Sequence, residues 1–204
     1  GNGYASFTFQ VQDDGGTNFG GVDIDQSPNI ITFNVTSVND APSGTDNTVT
    51  TLEDTDYTFS AADFGFSDLN DSPANSLQSV FIRSLPVNGT LLLSGVAVNI
   101  NDEISAVNIA NLVFRPDLND NGAAYAAFTF QVRDDGGVSD GGVDLDPVIR
   151  TMTVDVTPVD DAPVLAVNAG LATFEGFTTT ITAAMLQATD VDTAAGDLVY
   201  TVTA

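Results

Sequence analysis

The chain of 204 residues has no Cys, no Trp, no His and no Lys; its only cations are Arg83, Arg115, Arg133 and Arg150. Each absence excludes a class of chemistry. Without Cys there is no disulfide framework and no thiol nucleophile. Without His there is no Ser-His-Asp triad and no side chain that titrates near neutral pH unperturbed. With both missing, the usual zinc and iron ligands are gone. Four scattered arginines cannot form the clustered basic face that a phosphate backbone needs, so nucleic acid is excluded as a partner. No apolar run reaches the ~18 residues of a membrane-spanning helix, so no membrane insertion is expected in this segment. The opening GNGYASF has neither a basic nor an apolar leader region, so no signal peptide is expected within it.

What is present is acid. Twenty-eight Asp and Glu give a formal net charge of −24, while 43% of the residues are apolar. That is enough apolar surface for a buried core, which separates this chain from a disordered acidic tail. A compact state at this charge repels itself. A divalent cation with six to eight oxygen ligands, Ca2+, is the natural counterweight; a salt-adapted solubility coat is the bland alternative. Clustering of the acids favours the first.

The chain repeats itself. GYASFTFQVQDDGG (3–16) is matched by AYAAFTFQVRDDGG (124–137), GGVDID (20–25) by GGVDLD (141–146), and ITFNVTSVNDAP (31–42) by MTVDVTPVDDAP (152–163), each 121 residues on. A weaker match links TLEDTDYTFSAADFGFSDLND (51–71) to TFEGFTTTITAAMLQATDVDT (173–193) at an offset of 122, which implies one inserted residue. A period of this length suits a whole β-sandwich domain. With NDAP and DDAP as joints, the expected organisation is 1–38 as the closing part of one repeat, 39–42 as a linker, 43–159 as a complete repeat, 160–163 as a linker, and 164–204 as the opening part of another. The segment is then expected to be a window in a longer array.

The local pattern is β throughout. FTFQV, TMTVDV and ITFNV alternate apolar and polar residues at period two, as half-buried strands do. LQSVFIRSL (77–85) suits a central strand, and GTLLLSGVAV (89–98) a hairpin turning at Ser94–Gly95. Only AADF, AVNIANL and TAAMLQ suggest helical turns. The expected fold is all-β, a tandem array of Greek-key β-sandwiches.

Acidic clusters recur at strand ends and joints: Asn39-Asp40 and Asp160-Asp161 in the linkers; Glu53-Asp54 with Asp56, echoed by Glu175; Asp68-Leu69-Asn70-Asp71 and Asp190-Val191-Asp192; and Asp134-Asp135 with Asp13-Asp14. In a D-x-D loop residues i and i+2 can aim oxygens at one centre, and a following glycine lets the backbone approach as well. For any single cluster, an ordinary turn is an equally good explanation, because Asp, Asn and Gly cap backbone groups there. The four clusters fall in an order that would gather them at one end of a sandwich and its joint. A glycosidase would need two carboxyls about 5–10 Å apart in a sugar-lined cleft. Acids in turns that repeat with the domain argue instead for a non-enzymatic scaffold.

This ordering resembles cadherin and cadherin-like repeats. VNDAP and VDDAP are similar to shortened inter-domain linkers, DLND and DVD to the D-x-D loop, and QVRDDGG to the strand that ends in Asp-x-Gly. LPVNGTLLLSGVAV and ISAVNIANLVFRPD resemble the chondroitin-sulfate-proteoglycan-type variant found in large RTX-adhesin-like bacterial surface proteins. The resemblance implies Ca2+ at each joint, held at one by Asn39, Asp40, Asp68, Asn70 and Asp134, and at the other by Glu53, Asp160, Asp161, Asp190 and Asp192. It also implies an extracellular, bacterial-surface setting. The expected partners are neighbouring repeats of the same or identical chains and a cell-surface or matrix ligand. The expected function is a structural extender or adhesion module. Two alternatives are a filament subunit that assembles by strand sharing, and an accessory ligand- or carbohydrate-binding module of a secreted enzyme.

Overall fold

The computed structural model describes residues 2–203. Strands dominate, joined by short 3-10 turns, with no α-helix among the described residues. β1 (Ala5–Phe9) and β2 (Asn29–Phe33) form an antiparallel pair on their own. The sandwich follows: β3 (Asn47–Leu52), β4 (Tyr57–Thr58), β5 (Leu77–Ile82), β6 (Thr90–Leu93), β7 (Val96–Ala97), β8 (Glu103–Ser105), β9 (Leu112–Arg115), β10 (Gly122–Asp134) and β11 (Arg150–Thr157). β12 (Val164–Asn168) and β13 (Leu186–Thr189) form a further antiparallel pair.

One sheet runs in the order β3-β11-β10-β5-β8, and the other β4-β9-β6-β7. The chain changes sheet after β3, β4, β5, β7, β8 and β9. β3 lies parallel to β11, from Asn47 beside Met152 to Leu52 beside Thr157, so the first and last strands of the sandwich pair side by side. β5 is interior, as its apolar run requires. The β6–β7 hairpin turns at Ser94 and Gly95, both at positive φ, the geometry that a two-residue hairpin needs.

Alternation decides the core. On β10, Phe128, Phe130 and Val132 share one face and are fully buried. They meet the other sheet through rings: Phe59 lies 5.6 Å from Phe128, and Phe64 lies 4.9 Å from Phe130, both edge-on. Burying each such ring is worth about 1.5–3 kcal/mol. Phe64 reaches inward from a single 3-10 turn (Ala61–Phe64) closed by reciprocal Ser60–Asp63 hydrogen bonds. AVNIANL likewise forms a 3-10 turn (Ala106–Asn111), and Thr182–Leu186 a hydrogen-bonded turn. The hydrophobic core runs from Val49 to Val156.

The repeat in the sequence is a repeat in pairing. β1 pairs with β2 in the register Ala5–Phe33 and Phe7–Ile31; β10 pairs with β11 in the register Ala126–Val154 and Phe128–Met152. The bridge Gln12–Ile24 has its counterpart in Arg133–Leu145. Val164–Thr189 similarly echoes the bridge Ser43–Ser67.

Candidate metal centre

The parity that buries Phe128, Phe130 and Val132 carries the next inward position, Asp134, into the end of the core, where it is fully buried. Its Oδ1 accepts hydrogen bonds from Asn39 Nδ2 and from the Gly136 N–H, both at 2.9 Å. Its Oδ2 has no partner. Asp68, 5% exposed, arrives from the loop after the Ser43–Ser67 bridge. Its Oδ2 accepts the Asn75 N–H at 2.7 Å, and its Oδ1 has no partner. Asn39 is held between the two strands of the turn: it donates to Val143 O at 2.7 Å, and the Val143 N–H returns to Asn39 O at 2.9 Å. Asn75 donates to Asn39 Oδ1, and Asp71 Oδ2 accepts the Asp40 N–H at 2.9 Å. Pro42 is buried just beyond, which fixes the linker against the sandwich.

The spelling DDGG follows from this contact. A Cβ on Gly136 would fall on the amides of Asn39 and Asn75, so only glycine lets the linker seat there. Asp135, beside it, accepts the Ser76 N–H at 2.8 Å. Each acid does the work of a turn residue with one oxygen. The second oxygens of Asp68 and Asp134 are buried acceptors with nothing to accept, which costs about 1–3 kcal/mol apiece.

Asp146 supplies the contrast. It is equally buried, yet it is satisfied by the N–H groups of Gly44 and Val148 at 2.8 Å and by Arg150 Nε at 3.0 Å. Asp134 has no arginine. Burial pushes its carboxyl above the usual range; the Gly136 and Asn39 hydrogen bonds pull it back, and the charges of Asp68 and Asp144 push it further up. An all-oxygen site with two orphaned carboxylate oxygens fits a hard cation such as Ca2+ and offers nothing for a soft one.

The second joint is built from β3. Val49, Thr51 and Glu53 share the inward parity, and Glu53 is 3% exposed. Its Oε1 accepts the Val159 N–H, and its Oε2 accepts Asn121 Nδ2 at 2.9 Å. Asp54 Oδ1 accepts the Asn119 N–H at 2.9 Å. The Asp161 N–H donates to Asp192 Oδ2 at 2.7 Å, and Asp190 Oδ1 accepts the N–H groups of Asp192 and Thr193. Desolvation pushes the Asp161 carboxyl up, and the charges of Asp192, Asp54, Glu53 and Asp190 add to it.

Of the expected set, Asn39, Asp40, Asp68 and Asp134 gather at the first joint, and Glu53, Asp161, Asp190 and Asp192 at the second. Asn70 and Asp160 are exposed and make no hydrogen bond among the described residues. Asp71 stands where Asn70 was expected: it holds the Asp40 N–H as Asp192 holds that of Asp161. Asn75, Asn119 and Asn121 were not in the expected set. The alternating D-L-N-D-N-G at 117–122 is the one signal that could have drawn attention to the last two. Among the described residues, no three acidic side chains already converge as a metal-binding group; asparagine amides stand between the acids.

A model of the cadherin-like family matches residues 163–204, the part that follows the second joint and carries Asp190 and Asp192. The two packed sheets define an all-β sandwich, and the cadherin-like match over 163–204 is consistent with that class. No curated protein and no solved structure matches the chain. Among the described residues, no helix is long and apolar enough to cross a membrane.

Proposed function

We propose that this chain is a structural extender or adhesion module, a series of β-sandwich repeats whose joints are stiffened by Ca2+ outside a bacterial cell. The observation that carries the reading is the pair of buried, unpartnered oxygens, Asp68 Oδ1 and Asp134 Oδ2, at the joint where Asn39 and Asp40 enter. A cation there neutralises two buried charges and ties the linker to the sandwich it leads into. At the second joint, Glu53 and Asp54 of the sandwich, Asp161 of the linker, and Asp190 and Asp192 of the following segment would share one. Stiffness then follows calcium concentration, because binding only the joined state stabilises it by RT ln(1 + [L]/Kd), about 2.7 kcal/mol at a hundredfold excess over Kd. No catalytic role is assigned, since the acids lie in turns that recur with the repeat.

The test is calorimetric titration of the whole chain with Ca2+, paired with thermal melts in Ca2+ and in chelator. The expected result is heat of binding and a higher melting temperature in millimolar Ca2+, both reduced in Asp68→Asn and Asp134→Asn. Coincident melts and no heat would sink the reading.

A further inference from the structure

Five carboxylates crowd the second joint, yet Asp161 lies within hydrogen-bonding reach of the sandwich. One side chain accounts for this. Asn119 sits half-buried in the loop between β9 and β10, at a left-handed φ of 55° that Asn tolerates well. Its backbone N–H donates to Asp54 Oδ1 at 2.9 Å. Its side-chain amide, turned so that nitrogen rather than oxygen meets the carboxylates, donates to Asp54 Oδ2 at 3.1 Å and to Asp161 Oδ2 at 3.3 Å. The opposite orientation would set three oxygens against one another, so hydrogen bonding fixes the assignment. Among the described residues, no other group donates to the Asp161 carboxylate.

We infer that Asn119 is a latch: a positioning residue whose amide bridges Asp54 of the sandwich to Asp161 of the linker and holds the second joint in place without any cation. Around it, Glu53 accepts the Val159 N–H, Asn121 satisfies the other Glu53 oxygen, and Asp192 accepts the Asp161 N–H. The linker from Val159 to Asp161 is thus held by hydrogen bonds at three points, of which only the Asn119 bridge offsets repulsion between two like charges. At the first linker an amide acts on the other side: Asn39 donates to Asp134 of the sandwich that follows it. Asn119 instead ties the later linker to the sandwich that precedes it.

The latch goes beyond the calcium reading and does not depend on it. The test is amide hydrogen exchange of the whole chain in chelator, comparing wild type with the isosteric Asn119→Asp and with Asn119→Gly. Glycine keeps the left-handed backbone and the N–H to Asp54. The expected result in both variants is exchange about tenfold faster at Val159 and Asp161, equivalent to about 1.4 kcal/mol, with Val154 in the core unchanged. Asn119→Asp adds like-charge repulsion to the loss of the donor, so Asn119→Gly decides the matter: a residue that merely shapes the loop would leave exchange unchanged in it. Unchanged exchange at Val159 and Asp161 overturns the latch, and so does equal acceleration at Val154. Adding Ca2+ separates the two ideas. If it restores protection in Asn119→Asp, the calcium reading gains support. If it does nothing in any variant, that reading fails and the latch stands.

Discussion

The hairpin β1–β2 and the hairpin β10–β11 are two near-copies of one sequence in two surroundings. They pair in the same register, bend through the same turn, and place Asp13 and Asp134 alike, each accepting the N–H of the residue two further on. Phe7 is nonetheless 49% exposed, while Phe128 is fully buried. Asp13 faces no linker asparagine among the described residues, while Asp134 holds Asn39 and lacks a partner for its second oxygen. Pairing and turn are local properties. Burial, and with it the chemistry of the carboxylate, depends on what the rest of the chain brings to that face.

Paired substitutions test this contrast. The largest effect is expected for Phe128→Ala, which removes a ring from between two sheets and should destabilise the sandwich by about 3–5 kcal/mol in denaturant melts. Phe7→Ala should change the same transition by less than about 0.5 kcal/mol. Equal losses would mean that the first hairpin is part of the same cooperative unit.

Next comes the glycine that admits the linker. Gly136→Ala places a Cβ on the Asn39 and Asn75 amides and should cost about 1–3 kcal/mol, because it displaces Asn39 and leaves buried Asp134 Oδ1 with only one of its two donors. Gly15→Ala meets only the Oδ1 of its own turn's Asp13, at 3.2 Å, and should be near neutral. Chemical denaturation of both variants decides it.

The carboxylate itself should show in the pH dependence. Without divalent cations the folded state raises the Asp134 pKa, so it holds that proton more tightly than the unfolded chain does. The resulting stability is fully present below the unfolded value of about 4 and is lost as pH rises through the raised folded value. Asp134→Asn, measured in chelator, should therefore flatten that decline and gain about 1–2 kcal/mol at neutral pH. In Ca2+ the gain should disappear. If the Asp134→Asn and wild-type profiles superimpose in chelator, the carboxyl is not strained.

The smallest effect on stability is expected at the linkers. Asp40→Ala and Asp161→Ala should each shift melting of the sandwich by an amount equivalent to less than about 0.5 kcal/mol, while small-angle scattering in Ca2+ shows a wider spread of particle dimensions than wild type. Unaltered scattering would make both residues ordinary turn formers.

Part of the site follows from local pattern: period-two alternation carries Asp134 to the buried end of β10 and Glu53 to the buried position just after β3. Asp68 and Asp161 lie in loops and are suggested by the cadherin-like resemblance rather than by alternation. The i, i+2 spacing points to Asn70, but the loop turns Asn70 to solvent and presents Asp71 to the Asp40 N–H. Asn75 has no distinctive local pattern, and the D-L-N-D-N-G run that carries Asn119 and Asn121 does not by itself say which acids they face. Their roles depend on contacts as distant as Asn121 with Glu53, 68 residues apart.

The sequence by itself determined the β architecture, the internal repeat and the clustering of acids at turns, since period-two alternation and turn chemistry act over a few residues. Only the tertiary structure decided which of two similar hairpins became core, which oxygens were left without partners, and which asparagines came to stand between the acids. Those outcomes depend on desolvation and on donors from remote segments, and the alternation and turn signals within a short stretch of chain encode neither.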